Sequence, residues 1–211
     1  FLFDNLYHTT IISSYDFYGV TMIFFIAMMG ATVPANAFLE KHIKNGNTRI
    51  FYSPVSRVSI YSSKILTCFL FMALALTINI IIFDTISLVN FGSDKIGYVI
   101  LLIINFVLFL TILSSAICVT LHSEELTNVI LSNSMSVLGF LSGIFFPIAS
   151  LGAIFEKIAS FSPIKWTVDC IFQLIYDGQS TNYWWIMFAL LTLSSLLLLV
   201  VHKNYRPEDY I

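Results

Sequence analysis

The side chains that could do covalent or metal chemistry are few and scattered. Ser142-Gly143 suggests a nucleophile of the intramembrane serine hydrolase type, but a G-x-S-G motif needs Gly at position 140, which is Phe. A serine also needs a base within hydrogen-bond reach. His42, His122 and His202 are all predicted on the cytoplasmic side, across the membrane from Ser142. Cys68, Cys118 and Cys170 form no Cys-x-x-Cys pair and have no matching His spacing, which argues against zinc. Cys68 and Cys118 lie in apolar stretches where cysteine behaves as a small hydrophobe, and Cys170 is expected to be a free thiol on the outer side. There is no G-x-x-x-x-G-K-[ST] loop for nucleotide phosphates and no H-E-x-x-H pair. No two charges meet in the middle of an apolar stretch, and Asp84 lies near an end, so a proton or sodium relay is not expected either. The chemistry that is left is charge in the connections. Leu39–Lys64 reads LEKHIKNGNTRIFYSPVSRVSIYSSK and sets Lys41, Lys44, Arg49, Arg57 and Lys64 against Glu40.

The elements that must position this stretch are membrane spans. Of 211 residues, 58% are hydrophobic and 10% charged, far below the quarter or so of charge usual in soluble domains. The fold class is therefore an all-α polytopic membrane protein, one domain over 1–211. Its basic residues are few and sit beside spans, so no nucleic-acid partner is expected. Spans are predicted at about 17–38, 65–83, 98–121, 127–148 and 183–201. The basic loop 39–64 is placed inside, since Lys and Arg beside spans resist translocation. Lys203 and Arg206 then also fall inside, and Lys95, Lys157 and Lys165 outside, so the chain starts outside and ends inside.

Within this frame the loop has its own grammar. Asn45-Gly46-Asn47 signals a turn. Residues 48–52 can form a short helix offering Ile50, Phe51 and Tyr52. Ser53-Pro54 breaks it, and Ser56 or Ser59 caps the next helix. Two readings stand for the short helix: docking into another protein, or lying on lipid headgroups. In the second inner connection, Ser123 followed by Glu124 and Glu125 reads as a helix start, with His122 beside it as an interfacial histidine. Pro34 in the first span is either a hinge or a tolerated membrane proline, and Asn79 and Asn105 are expected to pair with other helices. The fourth span carries many small residues, with Gly139 and Gly143 at G-x-x-x-G spacing and Pro147 as its end. Residues 150–180 fit two short amphipathic helices at the outer interface, and Tyr183-Trp184-Trp185 an outer aromatic belt.

The pattern Glu40, Gly46, Arg49, then Ser53-Pro54-Val55-Ser56-Arg57, then Ile60 and Lys64, resembles the first cytoplasmic loop of ATP-binding-cassette (ABC) type-2 exporter permeases. The later order Gly143, Pro147, Ser162-Pro163-Ile164, Trp166 and Gly178 is similar to the same family. The resemblance implies a permease fold of six helices, with five visible here and a preceding one outside this numbering. It also implies a re-entrant helical pair on the outer face. An ATPase dimer would dock on Glu40, Gly46, Thr48, Arg49, Ile50, Phe51, Tyr52, Pro54 and Arg57 of the first loop and on His122, Glu124 and Glu125 of the second. The chain itself would be no enzyme and hold no cofactor, ATP and Mg being bound by that partner. A second permease chain and membrane lipid would be further partners, in a bacterial plasma membrane. The cargo would be hydrophobic or amphipathic: a drug, a lipid-like molecule or a peptide. The alternative is a membrane scaffold or immunity-type protein that transports nothing.

Overall fold

The computed structural model describes residues 14–39, 46, 52, 54–92, 95–145, 157–177 and 182–206, and every regular element among them is a helix. Glu40, Thr48, Arg49, Ile50, Phe51 and Pro147 lie outside the described residues, as do Lys41, His42, Lys44 and most of the first expected outer helix.

Helices α1 (Ser14–Met29) and α2 (Val33–Leu39) form one apolar stretch interrupted by a 3-10 turn at Gly30–Thr32. Pro34 explains the interruption. It has no N–H to give the Gly30 carbonyl four residues back, and the Val33 N–H takes that carbonyl instead. The Thr32 hydroxyl donates to the Met29 carbonyl at 3.1 Å, so the proline is absorbed within a few residues.

Helix α3 (Arg57–Thr85) has 29 residues, roughly 43 Å at 1.5 Å per residue. That exceeds the roughly 30 Å of a bilayer core, so its first two turns extend into what the sequence marked as loop. Of the two serines proposed as caps, Ser56 is the one: its Oγ accepts from the Ser59 N–H at 3.2 Å. Helix α4 (Ile96–Leu121) is the most buried, and α2, α3, α5 and α7 all pack on it. It ends at His122, whose φ of 53° starts the chain back. Helix α5 (Glu124–Leu141) opens on Ser123, whose Oγ accepts from the Leu126 N–H at 3.4 Å, as the Ser-Glu-Glu signal led us to expect. Helix α6 (Pro163–Phe172) starts on a proline in its first turn, runs into a π turn at Gln173–Asp177, and is tied by the i,i+4 ion pair of Lys165 with Asp169. Helix α7 (Tyr183–Asn204) closes the bundle against α4.

By length and apolar composition, four stretches among the described residues can cross a membrane: Tyr15–Leu39, Arg57–Thr85, Ile96–Leu121 and Tyr183–Asn204. In lipid the packing of such helices is driven by close contact and interhelical hydrogen bonds rather than by apolar burial. Both are visible. Phe24 and Phe106 meet edge to face, with ring centroids 5.4 Å apart, in the middle of the core. Asn105 Nδ2 donates to the Met187 carbonyl on α7 at 3.0 Å, which is the helix pairing expected of it. Asn79 differs: it is exposed and donates to Ala75 of its own helix at 2.7 Å. The outer faces of α3 and α7 show Leu66, Phe71, Leu74, Phe188, Leu196 and Leu199, each more than half exposed, apolar surface of the kind that meets membrane.

Two expectations need correction. Helix α5 ends at Leu141, short of the expected Ile148, because Gly143 reverses the chain with φ 81°. The Gly143 N–H bonds the Phe140 carbonyl at 3.5 Å and the Ile144 N–H bonds the Gly139 carbonyl at 3.4 Å, the paired closure of a Schellman cap. A Cβ on Gly139 would meet Phe145 and Phe25 at ordinary contact distances, 3.5 and 3.7 Å. Within this chain Gly139 and Gly143 therefore form no G-x-x-x-G face: one lies in the helix, and the other is its stop signal. The aromatic belt also splits. Trp184 and Trp185 are 56% and 73% exposed, whereas Tyr183 is buried and donates its hydroxyl to the Tyr98 carbonyl at 3.0 Å.

Candidate functional site

The basic end of the bundle gathers the two connections that the sequence placed inside. It is built from the C-terminal ends of α2, α4 and α7 and the N-terminal ends of α3 and α5. Asn36 on α2 and Asn128 in the second turn of α5 join the two connections directly: Asn128 Nδ2 donates to Asn36 Oδ1 at 2.8 Å. Thus the stem of the first polar loop and the start of the helix after the second are clasped by one amide pair. Asn128 Oδ1 is itself buried with no partner, so this bond is its main orientation.

A second cluster fixes the entry to α3. The Tyr61 hydroxyl and His202 Nδ1 lie 3.0 Å apart, bridging α3 to the last turn of α7. Tyr205 packs edge to face on both Tyr61 and Phe38, at 5.4 and 6.1 Å between ring centroids. The Lys64 ammonium lies 5.2 Å from the centre of the Phe38 ring, a cation–π contact. Burial pushes the Tyr205 phenol up to about 12.

Around this cluster the described docking candidates are exposed or half-buried. Tyr52 is 81% exposed; Gly46, Pro54, Val55 and Arg57 are exposed as well. His122 and Glu125 are exposed and Glu124 is half-buried. The structure thus brings Arg57 and the stem of the first loop to the same end as His122, Glu124 and Glu125. The remaining first-loop candidates, Glu40, Thr48, Arg49, Ile50 and Phe51, lie outside the described residues. Sequence reading missed Asn36, Asn128, Tyr61 and Tyr205. The rule applied to Asn105, that an amide in an apolar helix seeks another helix, identifies the asparagine pair too. No spacing signal links Tyr61 to His202, which are 141 residues apart.

Ser142 lies at the other end of α5 from His122. The 18 residues of that helix separate them by roughly 27 Å at 1.5 Å per residue, too far for a nucleophile and its base. The Ser142 hydroxyl is buried without a hydrogen-bond partner. Among the described residues no three His, Cys, Asp or Glu side chains come together as a metal site. At that opposite end Asp16 Oδ1 accepts from the Asn90 N–H at 2.8 Å, and Phe17 stacks on Phe172. Burial, together with the Asp169 charge, raises the Cys170 thiol to about 11.

The family model described as "ABC-2 family transporter protein" matches residues 5–201, almost the whole chain. The chain belongs to the ABC-2 transporter family. In this family the chain is the permease, the membrane component of an ABC transporter and not its ATPase. Membership implies partnership with an ABC ATPase subunit, and with the apolar helices it marks a multi-pass membrane protein. No curated protein and no solved structure matches.

Proposed function

We propose that this ABC-2 permease moves a hydrophobic or amphipathic cargo (a drug, a lipid-like molecule or a peptide) out of the cell, in a bacterial plasma membrane. The chain crosses the bilayer five times, α5 included, with the outer amphipathic segment over 150–180 forming a re-entrant pair. Two permease chains, identical or different, pack side by side. A dimer of ATPase subunits binds ATP and Mg and engages both inner connections, at Glu40, Gly46, Thr48, Arg49, Ile50, Phe51, Tyr52, Pro54 and Arg57 and at His122, Glu124 and Glu125. Closure of the ATPases tilts the two connections together, and the differential contacts made in each nucleotide state shift the bundle between inward- and outward-open forms.

The observation that supports this reading best is the Asn36–Asn128 bond. A push on the first loop reaches α5 through it without passing through the lipid-facing helices. The test is co-purification with an ATPase subunit in detergent. Phe51→Ala with Tyr52→Ala should weaken the complex while the permease itself stays folded. Unchanged co-purification and unchanged transport in that variant would remove the docking role.

A further inference from the structure

A polar cavity of about 360 Å³ opens at the basic end between the last turns of α4 and α7, lined by Val119, Thr120, His122, Lys203, Asn204 and Arg206. Its volume falls within the range of small-ligand sites, roughly 300–1,000 Å³. No carboxylate lines it among the described residues, and neither Lys203 nor Arg206 has an acidic partner there. Two helix C-termini face the cavity, and cations near such ends offset a negative pole of about half a charge each. That explains part of the basic character and not all of it. Among the described lining residues, two full charges against roughly two half charges leave about one positive charge in excess.

We infer that this cavity holds the phosphate of an anionic phospholipid from the inner leaflet. Lys203, Arg206 and the Asn204 amide supply the donors, and Thr120, whose hydroxyl is already given to the Ala116 carbonyl, is left as an acceptor. What favours a lipid over a free phosphate is the surface leading to the cavity. Leu196, Leu199 and Lys203 lie on one face of α7 at i, i+3 and i+7. Leu196 and Leu199 are 61% and 64% exposed, and Val200 beside them is 41% exposed. An acyl chain on that stripe delivers its headgroup to Lys203, and basic pockets between membrane helices are suited to such headgroups. The inference rests on the permease reading only for the side of the membrane concerned.

The experiment uses the full chain without any ATPase, so its outcome is independent of coupling. Binding of a short-chain phosphatidylglycerol is measured in detergent by native mass spectrometry, beside phosphatidylcholine of equal chain length and inorganic phosphate. Each basic residue at an anionic lipid surface is worth about five-fold in affinity. Lys203→Gln with Arg206→Gln should therefore weaken phosphatidylglycerol binding about 25-fold, and Lys203→Arg with Arg206→Lys should restore it. Leu199→Asn should weaken the lipid without changing its preference over phosphatidylcholine. Equal binding of both lipids, or phosphatidylglycerol binding unchanged in the double Gln variant, would overturn the site. Inorganic phosphate binding as tightly as phosphatidylglycerol would overturn the lipid in favour of a free phosphate.

Discussion

Removing the amide clasp at the basic end should cost stability in a way that neither asparagine accounts for alone. Asn128 Nδ2 and Asn36 Oδ1 are 2.8 Å apart on different helices, and Asn128 Oδ1 has no partner. Hydrogen bonds between membrane helices contribute about 0.6 kcal/mol on average and about 1.7 at most. Asn36→Ala loses that bond and strands the Asn128 amide, so the single change should cost about 1–3 kcal/mol. Asn128→Ala costs less, because it also removes an oxygen that is already unsatisfied. The double variant strands nothing, and should be less destabilised than the sum by about 0.6–1.7 kcal/mol. The assay is unfolding of all four proteins in the same detergent, read as a double-mutant cycle. Independent sites add to within about 0.3–0.5 kcal/mol. A cycle that closes inside that margin would refute the clasp, and with it the route from the first loop to α5.

Three further outcomes follow from the same structure. Ser56→Ala and Ser123→Ala each remove the acceptor for an orphan N–H at a helix start, and should each cost about 1 kcal/mol in unfolding measurements, with Ser→Asp recovering most of it. The Cys170 thiol, raised to about 11 from 9.0, should have about 100-fold less thiolate than an ordinary cysteine at neutral pH. Its reaction with a maleimide should be slower by at least that factor than that of a cysteine placed at exposed Val55. The Tyr205 phenol holds its proton to about 12 when folded and loses it near 10.0 when unfolded. Its contribution to stability is therefore complete below pH 10 and is lost as pH rises toward 12. Melting curves across that window should show the loss, and Tyr205→Phe should make it shallower.

Much of the fold was legible because composition and helix-start chemistry are local. The four long apolar stretches, the starts at Ser56 and Ser123, and the pairing of Asn105 each depend on residues adjacent in sequence or on one simple demand for a partner. Where reading failed, geometry decided. Gly139 and Gly143 have the spacing of a packing face, yet whether a glycine continues a helix or stops it depends on φ, and Gly143 stops it. Tyr183 looks like its tryptophan neighbours until the Tyr98 carbonyl claims its hydroxyl. Pro34 marked a break but not its form, which the Gly30 carbonyl settles by taking the Val33 N–H. At the candidate site, the exposed candidates were legible as a polar loop. The clasp and the Tyr61–His202 contact beneath it were harder to see, since they join residues 92 and 141 positions apart.

The proposed function requires both inner connections to meet one partner together. The direct measurement is labelling of Val55→Cys and Glu125→Cys by a membrane-impermeant maleimide, with and without the ATPase subunit and nucleotide. Both positions are exposed, and the native Cys68, Cys118 and Cys170 are buried, so background labelling is low. The ATPase should protect both cysteines at once, and the protection should change with ATP. Protection of neither, or of one alone in every nucleotide state, would contradict it.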